Sequence, residues 1–589
     1  MSIYNKYMDL LTVWCDAMLG LQLTETASAD FDGGLLCPAC KMIHGRCHDA
    51  IYPYVFLYHK TGDGRYLNAA RALFEWSDCL LTDAGSYYND AQNDWEAITV
   101  FSVSAMARTL LYHEPALPDD FREGLRIRLH LTGEWVYQNI TVSMASPVNY
   151  QAAAAEALAL CGTYLKDEDY LRAAGERARY CLAYFTDEGL FYGECSPRDY
   201  RSEKGCVGVD IGYNLEESLP ALMEYAELCD DKEVLRAVKM SLYTHMQFIL
   251  PDGGIDNSFG TRNYKWTYWG SRTSDSFLHA FERMAKSEQE PAFAEVKYHY
   301  YRLLLACTGN GLLYGGPDYE TQGEPPCVHH TMCKAKGLAQ LLEEELTEVK
   351  ERQVADFYYD KPCRITFPSI ATEKYCYGGF IADVTAYDVP YCPHGHVSGS
   401  TVSLLWNSST GPLLAASTMK HILYEVTNTQ LTLRKEHHRS LALRFDKWSV
   451  NEWYSTAYDF TSEFSSRLLA DEIIISGRAR LADASHRTAG EPVEIEYRLK
   501  EQELACRYRT KSDGILVVPL IADTGKEYVK EGGRITMTSK RQSRFRFETD
   551  NEIAGITPVF YLDGGFRAWE IVILQDGTGK SGFRIICEA

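Results

Sequence analysis

The chain has 589 residues, more than one hydrophobic core ordinarily serves, so two or more domains are expected. Its formal net charge of −22 argues against a nucleic-acid ligand and against anionic membrane surfaces, although a local cluster of Arg, Lys and His can still admit an acidic small substrate. No run is long and apolar enough to span a bilayer, and 40 Tyr and 10 Trp supply flat rings suited to sugar faces as well as to core filling.

The N-terminal run Met1–Leu10 lacks the basic region and apolar core of a signal peptide. The 18 Cys are scattered, several of them inside apolar helical stretches (Cys161, Cys181, Cys307), which suits reduced thiols and a cytoplasmic location. A first helix is expected from about Ile3 to Leu21, with Leu10, Leu11, Trp14 and Met18 on one face. The loop after it ends in Cys37-x-x-Cys40, followed by His44, Cys47 and His48. That spacing makes Cys37 and Cys40 candidate ligands of a structural zinc, with free thiols and pocket histidines as the alternative because no second Cys-x-x-Cys follows. Catalysis calls for no cofactor.

From Thr61 onward a unit repeats. Thr61–Ala70, Leu165–Ala174 and Asp230–Val238 resemble one another, and weaker copies begin near Pro118 and Glu290. Each opens a helix, most of these helices end in a Gly turn, and a second helix follows. The period of roughly fifty to sixty residues is that of a helical array. The second helices begin near Gly45, Trp95, Asn149, Tyr213, Thr273 and His330, and several are apolar on most faces, as buried helices are. Six inner helices with charged outer partners describe an (α/α)6 toroid over residues 1–355, a solenoid being the alternative. After about Asp356, alternating segments such as Thr401–Trp406, Glu472–Ser476 and Gly514–Val518 predict an antiparallel β-sandwich over residues 356–589. The fold class is therefore α+β and multidomain.

The junctions before the inner helices carry the chemistry. They hold His44, Arg46, His48 and Asp49; Asn93, Asp94 and Glu96; Asn149 and Tyr150; Asp210, Tyr213 and Asn214; Tyr264, Lys265, Tyr268, Trp269, Arg272 and Asp275; and His329, His330 and Lys334. Asn93, Asn149 and Asp210 also suit plain helix caps, and His44 and His330 also suit a core. Arg46, Arg272, His329, His330 and Lys334 at one end of a bundle favour an anionic ligand, most simply a carboxylate. In the sandwich, the Gly-flanked loop Pro393–Gly399 either reaches over the barrel mouth or is an exposed turn.

The runs His44–Pro53, Asp210–Pro220 and Asp256–Asp275 resemble polysaccharide lyase family 27, the L-rhamnose-α-1,4-D-glucuronate lyases that act on arabinogalactan side-chain caps. The resemblance implies an (α/α)6 barrel with a deep central pocket, a uronic-acid-containing oligosaccharide as partner and a tyrosine as base. A uronate lyase must neutralise a carboxylate to acidify the C5 hydrogen, remove that proton and protonate the leaving oxygen at C4. Tyr213 is the first choice of base and Tyr268 the second, with Tyr150 third and His329 or His330 next. Arg46, His48, Asn149, Tyr150, Asn214, Trp269, Arg272 and Lys334 are the candidate substrate-binding residues. The leading expectation is an exo-acting lyase on a terminal 4-linked glucuronate. The alternatives are an unsaturated-uronyl hydrolase using Asp94, Asp210 or Asp275 as acid, and a non-catalytic carbohydrate-binding protein.

Overall fold

A computed structural model describes residues 2–26, 28–90, 92–144, 146–194, 197–349, 352–390, 395–421, 430, 440–449 and 452–587. Its first half is helical: α1 (Ile3–Leu19), α2 (Ile51–Thr61), α3 (Gly64–Trp76), α4 (Thr99–His113), α5 (Asp119–Asn139), α6 (Asn149–Leu165), α7 (Glu168–Cys181), α8 (Ile211–Tyr213), α9 (Leu219–Leu228), α10 (Lys232–Met246), α11 (Leu278–Ser287), α12 (Pro291–Ala306) and α13 (Val328–Leu342). Helices α2, α4, α6, α9, α11 and α13 form an inner ring in which each packs on the next and α13 returns to α2. That return closes an (α/α)6 toroid and excludes the open solenoid. The outer partners are α3, α5, α7, α10 and α12, with α1 against α13. Among the described residues no helix is long and apolar enough to cross a membrane.

The repeat in the sequence proves to be a capping device. Its leading carboxylate is the N-cap of an outer helix: Asp63 accepts the Arg65 N–H, Asp167 the Asp169 and Tyr170 N–H groups, and Asp231 those of Glu233 and Val234. Each cap satisfies amides that the helix leaves unpaired. The apolar side of the repeat then faces inward, as Tyr170, Ala173 and Ala174 do in α7. Helix α6 shows the opposite composition. Its run Ala152–Ala155 is buried, and the small side chains let it pack on α4, α5, α7 and α9 together.

The fourth inner helix is not regular. Asp210 caps the single turn α8, the chain passes through a π-helical stretch, Asn214–Ser218, and then continues as α9. A π-helical turn adds a residue to the helix and rotates the side chains that follow, which is why such turns gather at functional sites.

The last inner helix ends at Leu342 and the first strand of the sandwich starts at Tyr359. A five-stranded antiparallel sheet runs in chain order through Tyr359–Phe367, Thr372–Gly378, Phe380–Thr385, Thr401–Asn407 and Gly411–Ala415. A thirteen-stranded antiparallel sheet holds the later strands among the described residues. Inward residues of both sheets, including Tyr375, Phe380 and Leu405 from one and Ile475, Val493 and Leu516 from the other, share one apolar core, which makes the pair a sandwich. The sandwich meets the toroid through Trp266 and Tyr268 against Trp406, Tyr561 and Phe566. Gly316 and Gly565 touch back to back there, so closely that a Cβ on Gly316 would lie 2.5 Å from the Gly565 Cα. Within the loop Pro393–Gly399, Pro393 and His394 lie outside the described residues. His396 is buried in the sandwich, bonded to the Val389 carbonyl at 2.7 Å and stacked on Phe460.

The caps make a direct prediction. Asp167→Ala removes the carboxylate oxygen that accepts from two amides at an exposed helix end, so it should cost about 1 kcal/mol of stability. Thermal melting should show the loss, while turnover stays at the wild-type level.

Candidate active site

A cavity of about 350 Å³ opens where the inner helices begin. All six predicted junctions reach its wall: Arg46 before α2, Asn93 and Trp95 before α4, Asn149 and Tyr150 at the start of α6, Tyr213 in α8, Lys265 before α11, and His329 at the start of α13. The junction before α11 contributes Arg262, Lys265 and Thr273, and the π-helical stretch contributes Glu217.

Tyr213 is the cavity phenol that cations approach most closely. Lys265 Nζ donates to its oxygen at 3.3 Å, the Thr273 hydroxyl bonds the same oxygen, and the Arg262 guanidinium carbon lies 4.6 Å from the ring centre. Two cations lie within reach of a negative charge developing on that oxygen. The backbone holds the ring there: Asp210 accepts the Tyr213 N–H at 2.8 Å, and Asn257 bridges Asp210 and the Ile211 N–H. The other two tyrosine candidates sit differently. Tyr150 is on the cavity wall, but burial raises its pKa and its oxygen accepts from Trp95 Nε1 at 2.7 Å. Tyr268 lies outside the cavity lining, and burial together with the Asp252 carboxylate it bonds at 2.9 Å holds its pKa well above the usual range. That corrects its reading as a cavity base.

The facing wall carries acids. Asn149 Nδ2 donates to Glu217 at 2.6 Å, leaving Asn149 Oδ1 without a hydrogen-bond partner among the described residues. Burial pushes Glu217 up to about 7, against the opposing pull of Arg46 and Asn149. Glu194 is fully buried 3.5 Å from Arg262, and burial raises it too. Arg46 reaches the wall already paired, with Asp49 at 3.0 Å and Asp275 at 2.9 Å, and its guanidinium lies 4.0 Å from the Phe101 ring centre. Burial would raise Asp275, but Lys336 and Arg46 outweigh it and hold the carboxyl at about 2. An acid that low cannot serve as a general acid near neutral pH, and Asp210 is spent as a cap. Asp94 is exposed and off the lining. Trp95 is 39 % exposed at the cavity rim, an aromatic face open to a sugar.

Several predicted ligands lie elsewhere, and each has a local reason. The ribbon Trp266–Thr267 with Gly270–Ser271 points Lys265 at the cavity and carries Tyr268 and Arg272 toward the sandwich and Trp269 into the toroid core. Trp269 Nε1 donates to the Tyr314 carbonyl at 2.8 Å. Arg272 bonds the Tyr319 hydroxyl, the Leu562 carbonyl and Gln430. Lys334 is paired with Glu216 at 2.8 Å, and His330 packs against Trp269 with its Nδ1 unpartnered among the described residues. His48 bonds the Gly45 carbonyl and the Ser102 hydroxyl, and Asn214 bonds the Phe191 carbonyl and His245. Sequence reasoning had not singled out Arg262, Thr273 or Glu194. The signal for Arg262 was its place three residues before Lys265, within a run of alternating polar and aromatic residues.

Two predictions follow from these positions. Arg272→Ala should act on stability: it strips three hydrogen bonds from a buried cation site, and the melting point should fall by several degrees with KM for a uronate substrate little changed. Glu217 couples folding to pH. Its folded-state pKa lies above the ordinary value, so its contribution is fully present below about pH 4.5 and is lost as pH rises through about 7. The swing is up to about 3 kcal/mol. Glu217→Gln should flatten the decline of the unfolding midpoint across that window.

Two solved structures are similar in overall arrangement at 10 % identity. They are the chondroitin AC lyase of Streptomyces coelicolor A3, covering 99 % of this chain and 83 % of that one at a TM-score of 0.49, and the heparan sulfate lyase HepC of Pedobacter heparinus, covering 98 % and 82 % at 0.44. A broad-specificity ulvan lyase of Formosa agariphila is 34 % identical over 549 residues, 89 % of this chain and 84 % of that protein. The ulvan lyase N-terminal domain matches residues 11–357, and the ulvan lyase C-terminal domain matches residues 365–587. With both domains matched in order, and with a relative of that identity along most of its length, this chain belongs to the ulvan lyase family of polysaccharide lyases, which are carbon–oxygen lyases.

Proposed function

We propose that this enzyme cleaves ulvan, the polymer for which its relative is named, by β-elimination at a 4-linked glucuronate whose neighbour is rhamnose, leaving a Δ4,5-unsaturated uronate. The observation that carries the reading is the cationic setting of Tyr213, with Lys265 Nζ at 3.3 Å and Arg262 at 4.6 Å. In this mechanism the Tyr213 phenolate takes the C5 proton. The C5–H electrons form the C4=C5 double bond as the C4–O bond breaks, and the leaving oxygen takes a proton back from the Tyr213 hydroxyl. Lys265 and Arg262 offset the charge on phenolate and uronate. Asn149 and Glu217 face the substrate carboxylate from the other wall. Below about pH 7 Glu217 holds its proton and donates to that carboxylate rather than repelling it. The ring of Trp95 takes the face of a flanking sugar.

The elimination creates a conjugated double bond, so ultraviolet absorbance reads it directly. Tyr213→Phe removes one oxygen and little packing. It should abolish the absorbance increase on ulvan while the melting point moves by no more than a few degrees; Tyr150→Phe and Tyr268→Phe should keep measurable turnover. If Tyr213→Phe stays active, the base is another group, with His329 next on the wall. Rhamnose-capped glucuronate oligosaccharides, assayed beside ulvan, test the bond: absorbance growth on ulvan alone would overturn the rhamnose-capped terminus as a sufficient substrate.

A further inference from the structure

The loop between α1 and α2 and the start of α13 bring together four side chains of which the Cys-x-x-Cys spacing announced two. Cys37, Cys40, His44 and Cys327 offer one ligand atom each, and all four atoms lie within 4.8 Å of one another. Cys37 Sγ and Cys327 Sγ are 3.6 Å apart although 290 residues separate them in the chain. That distance is far beyond a disulfide bond of about 2.0 Å. It fits the edge of a tetrahedron whose zinc–sulfur bonds are about 2.3 Å. The Cys40 amide points at Cys37 Sγ from 3.4 Å, a donor that favours the thiolate. His44 is 3 % exposed, and its Nε2 has no hydrogen-bond partner among the described residues. A buried ring nitrogen left in that state is costly unless something takes its lone pair. Cys47 and His48, the other members of the sequence pattern, stay out of the cluster, His48 being bonded to Gly45 and Ser102.

We propose that Cys37, Cys40, His44 and Cys327 bind one zinc ion that fastens the seam of the toroid. Three thiolates and an imidazole fill all four positions of a tetrahedral ion, which makes the site structural and leaves no place for substrate. The clip joins the loop ahead of the first inner helix to Cys327, the N-cap residue of the last. Its reach extends to the cavity: Arg46 follows His44 by two residues, His329 follows Cys327 by two, and the His44 and His329 rings are 5.0 Å apart. The ion would thus fix two cavity walls without entering the reaction. It would also close a very long chain loop, whose entropy the unfolded state otherwise keeps.

The test is metal content by plasma mass spectrometry on full-length protein grown with added zinc and purified without chelator. One zinc per chain is expected, falling to near zero in Cys40→Ser and Cys327→Ser and unchanged in Cys79→Ser, an exposed cysteine outside the cluster. Cobalt(II) exchanged into wild-type protein should show thiolate-to-metal charge-transfer absorption, a readout that survives even if the serine variants fail to fold. Stripping zinc should lower the melting point, and adding zinc alone should restore it. A wild-type chain without zinc, a zinc content indifferent to Cys40→Ser and Cys327→Ser, or a Cys37–Cys327 disulfide in an unreduced peptide map would each overturn the proposal.

Discussion

The structure depends on charges buried along the axis of the toroid. Arg46 and Lys336 share the carboxylates of Asp49 and Asp275, with Lys336 2.8 Å from Asp275 and 3.3 Å from Asp49. Deeper in the ring, Arg108 of α4 meets Glu156 of α6 and Glu224 of α9, and Arg283 of α11 meets Glu224 as well. These groups are almost wholly withdrawn from water, and a buried charge stripped of its partner costs about 3–5 kcal/mol. The pairs cross from helix to helix, so the helices must close in one register or leave a charge stranded. An apolar axis of the same volume would be as stable and would tolerate sliding; the ionic axis does not.

That constraint explains the irregular fourth inner helix. Glu216 and Glu217 are adjacent, yet they serve different places. Glu216 turns inward and accepts from Lys334, Tyr300, Ser274 and the Ser271 amide. Glu217 turns to the cavity and Asn149. Both fall in the π-helical stretch, which allows one to lock the ring while its neighbour serves the site. Gly270, at φ +142°, passes so close to the locked carboxylate that a Cβ there would lie 2.3 Å from Glu216 Oε2. The ribbon that follows Lys265 is thereby seated on the Glu216–Lys334 pair, while the Asp210 cap holds Tyr213 at the start of the same irregular helix.

Much of the fold was legible because it is written in periodic signals. The starts of the inner helices fell near the expected junctions, since caps and apolar stripes are local. Arg46, Asn149, Tyr150, Tyr213 and His329 reached the cavity because each sits at a helix start, where a toroid gathers its polar groups. Tyr268, Trp269 and Arg272 shared that junction in sequence and still went elsewhere, because a four-residue ribbon reversed the chain between Lys265 and Arg272. Lys334 was lost to Glu216, a partnership between α13 and the π-helical stretch that no local pattern encodes. Cys327 lay beyond reach for the same reason, being a neighbour of Cys37 only after the ring closes. The resemblance to family 27 led to a uronate lyase; the family matched along the chain is that of the ulvan lyases.

A net charge of −22 and the acidic polymer proposed as substrate look incompatible until distances are compared. At physiological ionic strength the screening length is about 8 Å, so carboxylates spread over a surface of this size act weakly on a sugar held in the cavity. Groups on the wall act at contact distance. Three cations, Arg46, Arg262 and Lys265, line that wall, and its carboxyl, Glu217, holds a proton up to about pH 7. Arg46 is neutralised from behind by Asp49 and Asp275, and Arg262 faces Glu194 at 3.5 Å, a carboxyl whose pKa burial raises; Arg262 and Lys265 are the cations beside Tyr213. In the proposed mechanism the same two side chains draw the uronate in and lower the cost of ionising the phenol. Anion recognition and base activation are then a single arrangement, and tightening one tightens the other.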